Sequence, residues 1–173
     1  MLAAMNPEIF SHSEQMSPRA GQILLLSGDD ATARALYSIA RLAAENRAIY
    51  VLDGANKFDA YWIARLARGW GSAPEIALAR VRLSRAFTCY QMRELIARKL
   101  NPPASSAIFC LRLLDTFYDE DVPLADAVRL LRQSLARLRA LARAGAIVVM
   151  TARAPAARAR VVLWNVVRQA AME

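Results

Sequence analysis

The chain has 173 residues, of which 56% are hydrophobic, and a net charge of +8, enough apolar material for one packed domain rather than a disordered segment. No run approaches the roughly 20 apolar residues a membrane span needs, and the start MLAAMNPEIFSHSEQ lacks the basic and apolar stretches of a secretion signal, which predicts a cytoplasmic protein with no membrane partner. A single histidine, His12, and two cysteines without paired spacing, Cys89 and Cys110, leave no material for a Ser/His/Asp triad, a zinc centre or a disulfide framework, so no metal site is predicted.

Residues 1–20 hold Pro7, Pro18 and several serines with little periodicity, and read as an N-terminal arm. From Gly21 the pattern alternates. QILLLSG is a short apolar strand closed by Gly28, and ATARALYSIARLAAENR has helical spacing through Leu36, Ile39 and Leu42. AIYVLDG is a strand, FDAYWIARLARGWG a helix with Ile63, Leu66 and Trp70 on one side, and ARVRLSRAF a strand. CYQMRELIARKL is a helix that NPPASS breaks with two prolines.

SAIFCLRLLD reads as a long strand ending at Asp115. A helix from Leu124 to Arg143 follows, with Leu124, Val128, Leu131, Leu135, Leu138 and Leu141 on its apolar side, Arg129, Arg132, Arg139 and Arg143 on a solvated side, and Gly145 as its stop. AIVVMTA is a further buried strand. In the last segment Pro155 could open a helix, while VVLWNVV could be an edge strand. Strands alternating with helices predict an α/β fold over residues 21–173, with a largely parallel central sheet and helices on both faces.

The positive charge is nearly all arginine, Lys57 and Lys99 being the lysines. Such a balance suits an anionic partner, nucleic acid above all, and is also what a GC-rich genome produces without selection for one.

In open α/β sheets ligands bind at the carboxyl ends of the strands, and a phosphate cradle occupies the first strand-to-helix loop of P-loop proteins. That loop is SGDDATARAL here. It offers Gly28, then Ala33, Arg34 and Ala35 where a cradle has Gly, Lys and Ser or Thr, and Asp29 and Asp30 place negative charge where phosphates would lie.

The segments from Ile49 to Leu100 resemble the RecA/RadA-type recombinase ATPase core and its paralogues, through Asp53, Phe58, Ile63, Ala64, Arg85, Ala86, Phe87 and Gln91 in the family's order. The resemblance extends over about residues 21 to 152. SAIFCLRLLDTFYDED is similar to the family's Walker B strand, with Asp115 at its tip, and AIVVMTARAP to its sensor strand, ending near Thr151 or Ala152. It implies a RecA-like P-loop NTPase fold with a degenerate Walker A loop, whose remnant nucleotide site would comprise Gly28, Thr32, Arg34, Asp53 and Asp115. The family's catalytic glutamate falls at Ala55 and its phosphate lysine at Arg34, and a planar guanidinium does not replace a compact ammonium in a tight loop.

The expected function is a non-catalytic, recombinase-like accessory protein of DNA repair or recombination, a pseudo-ATPase with no catalytic residue and no cofactor. Its expected partners are DNA, bound weakly and without sequence preference, a recombinase-like or repair protein, or both, with a homo-oligomer as a further possibility. In the family the loops after the Walker B and sensor strands approach DNA. The second corresponds to TARAPAARAR, which makes Arg153, Arg158 and Arg160 the candidate DNA contacts; the first is acidic, with Asp119, Glu120 and Asp121, and opposes them. The arm, through Ile9 and Phe10, is the candidate assembly element. The alternative is a DNA-dependent ATPase with an atypical or partner-completed nucleotide site, in which ATP and Mg²⁺ would be the cofactors.

Overall fold

Short apolar runs linked by amphipathic helices can satisfy their backbone only by pairing side by side, and the chain does so in a five-stranded sheet in which every pairing is parallel. The computed structural model describes residues 20–172. The strands are β1 (Ile23–Leu26), β2 (Ile49–Asp53), β3 (Val81–Arg85), β4 (Ala107–Leu111) and β5 (Ile147–Thr151), in the order β1-β5-β4-β2-β3. The helices are α1 (Ala31–Ala44), α2 (Ala60–Gly69), α3 (Pro74–Ala79), α4 (Cys89–Glu94, continued by a π-helical turn Leu95–Lys99), α5 (Leu124–Arg143) and α6 (Val161–Met172). The proposed arm lies outside the described residues, apart from Ala20.

Burial explains the composition of the strands. Every residue of β4 and β5 is buried, and their side chains alternate between two cores. Phe109, Leu111, Ile147 and Val149 face α1, α2 and α3, whereas Ile108, Cys110, Val148 and Met150 face α4, α5 and α6. Covered on both sides, such strands are continuous apolar runs rather than alternating ones. The outer strand β3 instead keeps Arg82 and Arg85 exposed, as suits an edge with unpaired backbone groups. The α/β reading with helices on both faces stands.

Helix α5 begins and ends at the residues its spacing predicts. Leu131, Leu135, Leu138 and Leu141 are buried with Ala127, Leu130, Ser134 and Ala142, while Leu124 is exposed at the start. Arg129, Arg132 and Arg143 are exposed as expected, whereas Arg139 is half-buried. The two alternatives at the end of the chain resolve to a helix: Leu163, Val167 and Ala170 turn one face inward at i, i+4 and i+7, and Pro155 lies in the preceding loop.

One strand differs from expectation. β4 stops at Leu111 because Arg112 adopts a left-handed conformation, φ 53° and ψ 45°, and the chain turns into a 3₁₀ segment, Leu113–Phe117. Leu113, Leu114 and Phe117 are fully buried, so apolar character continues past the strand end although the extended backbone does not. Asp115 therefore sits on this turn, not at a strand tip.

Both cysteines are buried and free. Burial pushes the Cys110 thiol up from an ordinary value near 9 to about 12. A folded-state pKa raised in this way stabilises the fold fully below pH 9, and the contribution is lost as pH rises toward 12, because only the unfolded chain gives up the proton in that window. The expected result is a stability that falls by up to about 1.4 kcal/mol per pH unit above pH 9. Urea unfolding between pH 8 and 11 checks it, and a Cys110→Ala variant should lack this component.

Candidate functional site at the carboxyl edge of the sheet

The turn from β1 to α1 is four residues long, Ser27 to Asp30, all exposed. Gly28 carries it, with φ +100°, and its carbonyl accepts the Ala31 N–H at 3.3 Å. Asp30 occupies the N-cap position without a side-chain capping bond, and the Arg34 guanidinium approaches its carboxylate at 3.9 Å. Thr32 and Arg34 are half-buried on the first turn of α1. A cradle that wraps phosphates needs several successive backbone N–H groups turned inward, and this turn has one glycine and two exposed carboxylates.

Asp53, at the end of β2, is 1% exposed. Its Oδ1 accepts the N–H groups of Ala55 at 3.2 Å and Lys57 at 3.0 Å, and its Oδ2 that of Phe58 at 2.8 Å. The carboxylate thus folds the loop that leads into α2, which Asp59 then caps by accepting the Trp62 N–H at 2.9 Å. The Gly54 N–H donates to the Leu111 carbonyl at 2.9 Å. A Cβ at Gly54 would stand 2.8 Å from the Arg112 carbonyl oxygen and 3.2 Å from Met92 and Thr116 side-chain carbons, so the loops after β2 and β4 touch backbone to backbone.

Asp115 is committed to two cations. Arg112 grips it with both arms of its guanidinium, Nε to Oδ1 at 3.2 Å and Nη2 to Oδ2 at 2.8 Å, and Arg153 lies 3.5 Å from Oδ2. The buried Thr151 hydroxyl accepts the Arg112 N–H at 2.7 Å, tying the ends of β4 and β5 together. The Tyr118 hydroxyl donates to the Arg153 carbonyl at 2.7 Å. Burial, and next the Asp115 carboxylate, push the Tyr118 phenol above its ordinary value, so it stays a donor.

The remaining residues behind the resemblance have local roles. Thr88 caps α4, its hydroxyl accepting the Gln91 N–H at 3.2 Å, and Gln91 Oε1 reaches back to accept the N–H of the preceding Phe87 at 2.8 Å. Ile63 and Ala86 are buried, Ala64 and Phe58 half-buried, and Arg85 exposed. Phe87 is 75% exposed, beside the exposed Tyr90 on α4. Trp62 is in the core, and Trp70 meets Tyr37 edge to face at 5.3 Å.

Of the three candidate DNA contacts, Arg153 and Arg158 are exposed. Arg160 is not: it is 4% exposed, and its Nη2 donates to the carbonyls of Asp119 at 2.7 Å and Val122 at 2.6 Å. The expectation of three solvent-facing arginines is corrected to two, because a buried guanidinium holding two carbonyls cannot swing out without losing both bonds. Arg112 and Tyr118 are site residues the sequence did not single out. The signal for Arg112 was there: it is the one charged residue inside AIFCLRLL.

Among the described residues, no group of His, Cys, Asp and Glu side chains could hold a metal ion, and no helix is long and apolar enough to cross a membrane. No protein-family model matches the chain, and no curated protein matches it.

Proposed function

We propose that the protein is a non-catalytic, recombinase-like accessory factor of DNA repair or recombination, built on a RecA-like P-loop fold whose nucleotide site is degenerate. It binds DNA phosphates through the loop after β5 and engages a recombinase-like or repair partner. The observation that carries the reading is the contrast along one sheet edge: the β1–α1 turn presents Asp29 and Asp30, whereas the loop after β5 presents Arg153 and Arg158. Phosphate is repelled at the first place and attracted at the second.

Three further features support it. The strand that resembles the sensor, β5, lies between the phosphate-loop-like β1 and the Walker-B-like β4, so the tips of all three converge as nucleotide chemistry would require. The polar groups just beyond β4 and at the end of β5 are already engaged, Asp115 on its turn with two guanidiniums and Thr151 with a backbone N–H. Just past the edge strand β3 the chain exposes Phe87 and Tyr90, aromatic side chains suited to a protein partner.

Isothermal titration with Mg-ATP tests the nucleotide half. No binding is expected up to millimolar ATP, and no turnover. Low-micromolar binding, or a hydrolysis rate abolished by Asp115→Asn, favours the alternative of a DNA-dependent ATPase with an atypical site.

A further inference from the structure

Between the loop after β5 and the segment after the 3₁₀ turn lies a cavity of about 310 Å³, lined by Tyr118, Glu120, Arg153, Pro155 and Arg160 together with small alanines. Arg160 is nine-tenths or more buried there, at 4% exposure. Its two bonds run from Nη2 to backbone carbonyls, and Nη1, equally shielded, has no hydrogen-bond partner among the described residues. Carbonyl oxygens satisfy protons but do not neutralise a charge. A buried guanidinium held only by neutral acceptors is therefore a costly arrangement that an anion would relieve. Arg153 brings a second positive charge to the same cavity, 63% exposed and 3.5 Å from Asp115. The alanines leave room beside the two cations.

We propose that this cavity is a phosphate-binding site in which one tetrahedral oxyanion sits between the guanidinium groups of Arg160 and Arg153. For the source of the phosphate, a DNA backbone rather than a free phosphorylated ligand, it rests on the DNA-binding reading; the site itself does not. Arg153 offers the planar two-donor fork that suits a tetrahedral oxyanion, and Arg160, its Nη2 spent on the two carbonyls, adds an unneutralised positive charge from the cavity wall. Glu120 is the opposing charge at the cavity, and it keeps the affinity modest.

The test is thermal unfolding of the full chain in inorganic phosphate against sodium chloride of equal ionic strength. Phosphate at about ten times its dissociation constant is expected to raise Tm by about 3 °C. Arg153→Gln should lose most of that rise while keeping the parent Tm in chloride, and Glu120→Gln should bind phosphate about threefold to tenfold more tightly. These two carry the test because Arg160→Gln removes two carbonyl bonds and weakens the fold itself. No phosphate-specific rise, or a rise indifferent to both variants, overturns the site even if DNA still binds through Arg158.

A second arm identifies the source. Saturating phosphate should displace a fluorescent single-stranded oligonucleotide beyond what matched chloride does. A phosphate rise that depends on Arg153 and Glu120, with no such displacement, upholds the cavity and overturns DNA as the source of its phosphate.

Discussion

Replacing Asp53 by alanine is expected to destabilise the protein by about 2 to 4 kcal/mol, because it leaves three backbone N–H groups, those of Ala55, Lys57 and Phe58, without their acceptor. For a domain of this length that corresponds to a Tm lower by roughly 5 to 15 °C. Asp53→Asn should cost less, since its remaining carbonyl oxygen can still take the two bonds now made by Oδ1. The prediction separates two roles for one residue. A strand-end aspartate kept for nucleotide chemistry could be removed with little loss of stability, whereas one that folds the loop into α2 could not. Urea unfolding of the three proteins decides it, and an alanine variant as stable as the parent would contradict the loop-folding role.

The second large effect is expected at Gly54. An alanine Cβ would stand 2.8 Å from the Arg112 carbonyl oxygen, and backbone on that side is already fixed by the left-handed turn and by the Thr151 hydroxyl. The strand ends must part, at about 2 to 3 kcal/mol. The displacement falls on the residue that grips Asp115, so Gly54→Ala should lower Tm and also weaken DNA binding, although it lies apart from the loop after β5. Loss of stability with DNA affinity fully retained would show that the Arg112–Asp115–Arg153 arrangement does not position Arg153 for DNA.

Much of this architecture was legible because burial leaves a strong periodic trace. β4 and β5 are apolar throughout since helices cover both faces, and α5 could be bounded at both ends because its leucines recur over the whole length of the helix. Where the sequence misled, a local backbone choice overrode a continuing apolar pattern. Nothing in RLLD distinguishes a longer strand from a left-handed arginine followed by a 3₁₀ turn, as both bury the two leucines.

The arginine run in RAPAARAR misled for a related reason. Three arginines at short spacing look equally exposed, and only the fold back over Asp119 and Val122 tells Arg160 from its neighbours. Asp53 was visible as a strand-end aspartate, but its three backbone partners follow from loop geometry that single residues do not encode.

The most direct test of the central claim is fluorescence anisotropy of a single-stranded oligonucleotide titrated with the protein, with and without Mg-ATP, across a salt series. The account predicts micromolar binding without nucleotide and no change on adding Mg-ATP. The log–log salt slope should be about 1.4 in magnitude, two phosphates of the single strand being neutralised at Arg153 and Arg158. Arg153→Gln with Arg158→Gln should remove most of the affinity and leave Tm nearly unchanged, since both side chains are exposed. Binding that appears only with Mg-ATP, or that is the same in the double variant as in the parent, would contradict it.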